Sequence, residues 1–123
     1  MTIPEEHAWN ILEEIGFLVK YYKNRTIIDS ANTIYFQYPL EEYILDFALI
    51  NAKISIEIQG EYWHAKRTNS LNIPQLKRAM NDSLKRIKLQ TLGWQLIECV
   101  PDQLNRESSK KFLEKSILTL LIV

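Results

Sequence analysis

The clearest pattern along the chain is an apolar run followed by a strict alternation. Residues 43–50 are apolar except for Asp46, and residues 53–59 alternate Lys53, Ser55, Glu57 and Gln59 against Ile54, Ile56 and Ile58. That is the period of paired strands with one buried face. Asn51-Ala52 between them predicts a two-residue hairpin loop, which pairs residue 50 with 53, 48 with 55 and 46 with 57. Asp46 then faces Glu57 on one side of the sheet.

The flanking segments read as helices and further strands. Thr2-Ile3-Pro4-Glu5 has the capping-box pattern, with Thr as N-cap, Pro just inside and Glu three residues on. Ala8, Trp9, Leu12, Ile15, Leu18 and Val19 follow at helical spacing, predicting a helix from about Ile3 to Tyr22 with an interruption near Gly16. Thr33–Tyr38 is β-rich and predicts the first strand, and Pro39 with Glu41-Glu42 turns the chain into the hairpin. After a polar loop over 65–72, Asn72 and Pro74 start the longest helix, Ile73 to Leu92, with Gly93 as its stop. Leu76, Met80, Leu84, Ile87 and Thr91 form one apolar stripe on it, widened by Leu89 and Leu92, and this stripe is expected to pack inward. Trp94–Val100 predicts a strand with Leu96 inward, Cys99 or Val100 being the other inward candidates. A helix from about Ser108 to Leu121 buries Phe112, Leu113, Ile117, Leu118 and Leu121. The predicted order is α-β-β-β-α-β-α, an α/β fold with a mixed sheet of about four strands flanked by helices.

Composition changes this picture little. The 123 residues suffice for one domain over 1–123. Net charge is zero, with 15 basic and 15 acidic residues, but the charges are unevenly placed. Lys66, Arg67, Lys77, Arg78, Lys85, Arg86 and Lys88 lie between His64 and Leu92 with only Asp82 against them, whereas Glu5, Glu6, Glu13 and Glu14 crowd the start. One basic surface is therefore expected although the whole is neutral. The single Cys99 excludes an internal disulfide and a multi-cysteine zinc site, and is read as a core residue. No apolar run approaches a membrane span and no signal-peptide pattern opens the chain, so an intracellular protein is expected.

The chemistry concentrates on the hairpin. Directly opposed side chains have Cβ atoms about 4.5–5.5 Å apart, where like charges are destabilising. A divalent cation between Asp46 and Glu57 removes that conflict. An unpaired carboxylate in an apolar strand costs several kcal/mol, and a pairing of Asp46 with Lys85 or Arg86 would also satisfy it, without function.

These elements and residues together resemble the PD-(D/E)XK nuclease superfamily, in the branch of the very-short-patch repair endonucleases. The resemblance covers nearly the whole chain. TIPEEHAWNIL is similar to the branch's first helix and puts Glu5 at its glutamate. FQYPLEEYILDF puts Asp46 at the metal-binding aspartate. ISIEIQG puts Glu57 at the second metal ligand and Gln59 at the variable third position. GEYWH places His64 at the catalytic histidine. Asp82, Lys85, Leu89 and Gly93-Trp94 match an Asp-x-x-Arg…Leu…Gly-aromatic segment, with Lys for the usual Arg.

The resemblance implies the three-layer restriction-endonuclease-like fold and metal-dependent cleavage of DNA, by nicking or through both strands. It implies Mg²⁺, for which Mn²⁺ can substitute, on Asp46, Glu57 and the Ile58 carbonyl. His64 would orient or deprotonate the water or protonate the leaving group. Lys66, Arg67, Lys77, Lys85 and Arg86 are the expected DNA-binding residues. Gln59 stands where a lysine or acid is usual; it can hold a water or phosphate by hydrogen bonds but is neither charged nor a base. The repair enzymes' zinc-binding cysteines are absent, so mismatch specificity is not implied. Two other functions fit the same residues: a non-cutting DNA- or protein-binding module, and a dimeric resolvase of branched DNA. Glu5 is also accounted for by the cap alone, His64 by packing beside Trp63, and the basic helix by a solvated face. A homodimer or a separate specificity protein would supply target recognition. Phage, mobile-element and repair roles are all compatible.

Overall fold

The computed structural model describes residues 1–22, 31–58, 72–100 and 107–122. In chain order the elements are α1 (Ile3–Ile15), β1 (Leu18–Tyr21), β2 (Thr33–Leu40), β3 (Tyr43–Leu49), β4 (Ile54–Ile58), α2 (Ile73–Thr91), β5 (Gln95–Cys99) and α3 (Glu107–Ile122). The strands form one sheet in the order β1-β2-β3-β4-β5. β2, β3 and β4 run antiparallel as a meander, while β1 joins β2 in parallel and β5 joins β4 in parallel. Two apolar clusters lie on the two faces. One takes Ala8 and Leu12 of α1 and Leu113 and Ile117 of α3 against Ile34, Phe47, Ile54, Ile56 and Ile97. The other takes Leu89 of α2 and Trp94 against Leu45 and Ala48. The result is the expected three-layer α/β architecture.

Local chemistry sets the element ends. At the start of α1, Thr2 Oγ1 accepts from the Glu5 N–H at 3.2 Å and Glu5 Oε1 accepts from the Thr2 N–H at 2.7 Å, closing the predicted capping box. α2 begins with a second such box, between Asn72 and Gln75. Each cap is worth about 1 kcal/mol. α2 ends at Thr91, with Gly93 following at φ +84°. The β3–β4 hairpin turns through Asn51-Ala52, with the Lys53 N–H donating to the Ile50 carbonyl at 3.1 Å. Its register is Leu49 with Ile54, Ala48 with Ser55 and Phe47 with Ile56, as the alternation predicts.

Three expectations are corrected. The first helix does not reach Tyr22. It stops at Gly16, whose φ of +122° suits glycine alone, and Leu18–Tyr21 continues as a parallel strand beside β2. The sheet thus has five strands, in the order α-β-β-β-β-α-β-α. Leu18 and Val19 fit a helical stripe as well as a short strand, and the glycine decides between them. Tyr21 packs tilted against Trp9 and edge-on to Phe36, with ring centroids 5.1 Å from each. Second, the α2 stripe of Leu76, Met80, Leu84 and Ile87 faces outward, and only Leu89 of the helix is buried. Third, Ile97 of β5 is buried as well as the expected Cys99, with Leu96 half-buried against the α2-side cluster, and on α3 Leu113 and Ile117 are buried while Phe112, Leu118 and Leu121 are exposed. Among the described residues no helix is long and apolar enough to cross a membrane.

The hinge at Gly16 is testable. A Cβ there meets nothing within 4 Å, so only backbone strain opposes a side chain. Gly16→Ala is expected to lower stability by about 1–2 kcal/mol in urea unfolding; an unchanged midpoint would contradict the α1–β1 geometry.

Candidate metal and phosphodiester site

The two acids of the hairpin are brought together, and in an unexpected manner. Past Phe47 and Ile56 the ladder gives way to side-chain bonds: the Asp46 N–H donates to Glu57 Oε2 at 2.7 Å, and the Ile58 N–H donates to Asp46 Oδ2 at 2.8 Å. Each carboxylate thus takes a backbone donor of the opposite strand. On the other side of β3 the regularity also breaks. Phe36 pairs with Phe47 and Tyr38 with Leu45, but the first pair belongs to one apolar cluster and the next to the other. Both strands change face between these pairs, at Gln37 and Asp46. Gln37 sits at φ +61°, in the left-handed region, and its amide donates to Glu5 Oε2 at 3.5 Å. Glu5 is therefore both a cap and a neighbour of the pair.

Charge from α2 closes the site. Glu57 lies in register with Glu98 on the parallel strand β5, so two acids stand side by side on the face toward α2. Consecutive bases of α2 meet them. Lys85 Nζ pairs with Glu57 Oε1 and donates to the Ile44 carbonyl at 2.9 Å. The Arg86 guanidinium pairs with Glu98 Oε1, at 2.8 Å from Nε and 2.7 Å from the terminal nitrogen. Asp82, Leu89 and Leu96 complete a cleft of about 70 Å³ around these groups, room for a few water molecules or a partly hydrated ion.

Burial and like charge shape the protonation. Burial, followed by repulsion from Asp46, pushes the Glu57 carboxyl up to about 8, against the pull of Lys85. Asp46 is also raised, by burial first, with the Ile58 N–H and Lys85 acting against it and Glu5 adding to it. Asp82 is raised by burial, opposed by Lys85 and Arg86. Burial holds the Cys99 thiol near 12, consistent with an inert core residue.

The expected site residues are distributed as follows. Asp46, Glu57, the Ile58 backbone and Lys85 converge, and Glu5 reaches their rim through Gln37. Arg86 lines the cleft but is tied to Glu98. Lys77 lies on the exposed N-terminal half of α2, away from the cleft. Gln59, His64, Lys66 and Arg67 lie outside the described residues. Asp82 and Glu98 were not among the expected site residues. The signal for Asp82 was its spacing of three and four from Lys85 and Arg86, one helical face; that for Glu98 was its place two residues after Leu96 on an alternating strand.

Asp46 and Glu57 offer hard carboxylate oxygens, the donor set that suits Mg²⁺ or Mn²⁺. Among the described residues no three or more His, Cys, Asp or Glu side chains gather about one ion position, so a backbone carbonyl or water would complete the shell. The Lys85 ammonium already meets a cation's electrostatic requirement at Glu57.

No protein-family profile matches the sequence, and neither does any curated protein. Among solved structures, the catalytic domain of the homing endonuclease I-Bth0305I superposes with a TM-score of 0.55 over 99% of this chain and 96% of that one, at 20% identity. The two chains share a fold. At that identity the likeness speaks for the fold, and the chemistry rests on the carboxylates themselves.

The raised carboxyls give a signed pH dependence. Between the ordinary value of 4.5 and about 8, folded Glu57 keeps a proton that the unfolded chain has released. Stability is then fullest below the lower value and is lost as pH rises through the upper one. Thermal melts of metal-free protein are expected to fall from pH 5 to pH 8, and less steeply in Glu57→Gln; a midpoint that rises over this range would contradict the arrangement.

Proposed function

We propose that the chain is a metal-dependent DNA endonuclease that hydrolyses phosphodiester bonds. The observation carrying this reading is the Asp46–Glu57 pair, two carboxylates held together where β3 and β4 exchange ladder bonds for side-chain bonds. Such a pair is destabilising by itself, and a cation-binding role gives it a reason. Mg²⁺ or Mn²⁺ would be held by Asp46, Glu57 and the Ile58 carbonyl. When bound, such an ion supplies Lewis-acid charge to the phosphate and makes a water acidic enough to attack it. Loading the pair with a divalent ion would release Lys85 Nζ toward an incoming phosphate. Arg86, held by Glu98, shapes the cleft wall. His64 is proposed to handle the proton of the water or leaving group, Gln59 to hold a water or phosphate, and Lys66, Arg67 and Lys77 to bind the DNA backbone.

A second reading has an observation of its own. Lys85 and Arg86 already balance Glu57 and Glu98 internally, as a fold that binds DNA or protein without cutting would require. A dimeric junction resolvase is the same chemistry with a different substrate.

Cleavage of supercoiled plasmid and of a branched junction with Mg²⁺ or Mn²⁺ tests these readings. Asp46→Ala and Glu57→Ala should each lose about 100-fold or more in rate, equivalent to about 2.7 kcal/mol or more of transition-state stabilisation, while keeping their circular dichroism. A folded wild type that cuts neither substrate with either metal would overturn the nuclease reading in favour of the binding module.

A further inference from the structure

α2 presents an apolar stripe to solvent. Ile73, Leu76, Met80, Leu84 and Ile87 are 71%, 48%, 66%, 55% and 60% exposed. At about 100° per residue they lie on one side of the helix, roughly opposite Asp82, Lys85, Arg86 and Leu89, which face the sheet and the cleft. The helix is thus attached by its charged side and shows its apolar side. Five large apolar side chains over about 21 Å of helix form a patch of the kind that marks an interaction surface.

The order of residues in the stripe says what fits it. The intervals are 3, 4, 4 and 3, and the residues read Ile, Leu, Met, Leu, Ile, so the stripe is the same in either direction about Met80. We propose that α2 is a dimer interface, in which a second copy of this chain packs its own α2 antiparallel across a two-fold axis at Met80. Ile73 then meets Ile87 of the second copy, Leu76 meets Leu84, and Met80 meets itself. This is the self-complementarity that an isologous interface requires; a foreign partner would impose no such symmetry. The neighbouring hydroxyls make no demand on the partner, because Ser83 Oγ donates to the Ala79 carbonyl at 3.0 Å and Thr91 Oγ1 to the Ile87 carbonyl at 2.9 Å. Lys77 and Lys88 border one side of the stripe. In an antiparallel pair like borders adjoin, so the lysines of the two copies form a basic rim and added salt strengthens the association by screening them. The cleft-lining side of α2 stays uncovered, and the inference does not depend on what the cleft does.

Light scattering and cysteine cross-linking test it. The wild type is expected at twice the chain mass of 14.5 kDa, and Met80→Glu at the single mass with unchanged circular dichroism, since Met80 is exposed. Met80→Cys should form a disulfide with its own copy under mild oxidation. Ile73→Cys alone should not, because antiparallel packing keeps the two copies of that position about 21 Å apart, whereas Ile73→Cys with Ile87→Cys should. Cys99, 1% exposed, does not compete. A wild type that stays monomeric at every concentration reached, a Met80→Glu variant that remains dimeric, or Ile73→Cys joining to itself as readily as Met80→Cys would each overturn the proposal.

Discussion

Two acids on adjacent parallel strands, matched by two consecutive bases on one helix, are the interaction on which the rest of the molecule turns. Glu57 and Glu98 stand in register on β4 and β5, and Lys85 and Arg86 of α2 take one each. Without the bases, the acids would be like charges side by side on a partly buried face, an arrangement that costs several kcal/mol when it includes a buried charge. Without the acids, α2 would have little to hold its polar side to the sheet, since Leu89 is its one buried residue. The pairing therefore fixes how the helix is rotated. It directs Asp82 and Lys85 into the cleft beside Asp46 and leaves the Ile73–Ile87 stripe outside.

This explains which features were legible in the sequence. The hairpin was, because alternation over Ile54, Ile56 and Ile58 admits one register and a slip of one residue would turn every isoleucine outward. The capping box at Thr2-Glu5 and the stop at Gly93 were also legible, since each is local chemistry. The strand Leu18–Tyr21 was not: its apolar residues satisfy two periods, and what makes it a strand is a partner fifteen residues on, Thr33–Phe36. The rotation of α2 was hidden for a different reason. An amphipathic pattern identifies an apolar side without saying whether it meets the chain's own core or another surface, and here the ion pairs from α2 to β4 and β5 outweighed it. The facing of Asp46 and Glu57 was readable from register alone; their exchange of backbone donors, and the left-handed Gln37 beside them, depend on a strand distortion that no periodicity encodes.

The same economy links stability to the proposed chemistry. A carboxylate pair that suits a divalent ion is a liability in the ion's absence, and two features of this chain temper it. Protonation is one, with burial raising both carboxyls and repulsion from Asp46 adding to the rise of Glu57. Lys85 is the other, a tethered cation that holds Glu57 while also bonding the Ile44 carbonyl. Both would have to yield to a bound ion, so under this proposal ion affinity, proton release and the freedom of Lys85 would be aspects of one equilibrium.

The central claim is that Asp46 and Glu57 form a divalent-cation site, and calorimetric titration of folded protein with Mn²⁺ at pH 8 tests it most directly. The account predicts saturable binding by the wild type with release of protons, and its loss in Asp46→Asn and in Glu57→Gln. Absence of binding to a folded wild type, with and without DNA, or binding that survives both substitutions, would contradict it.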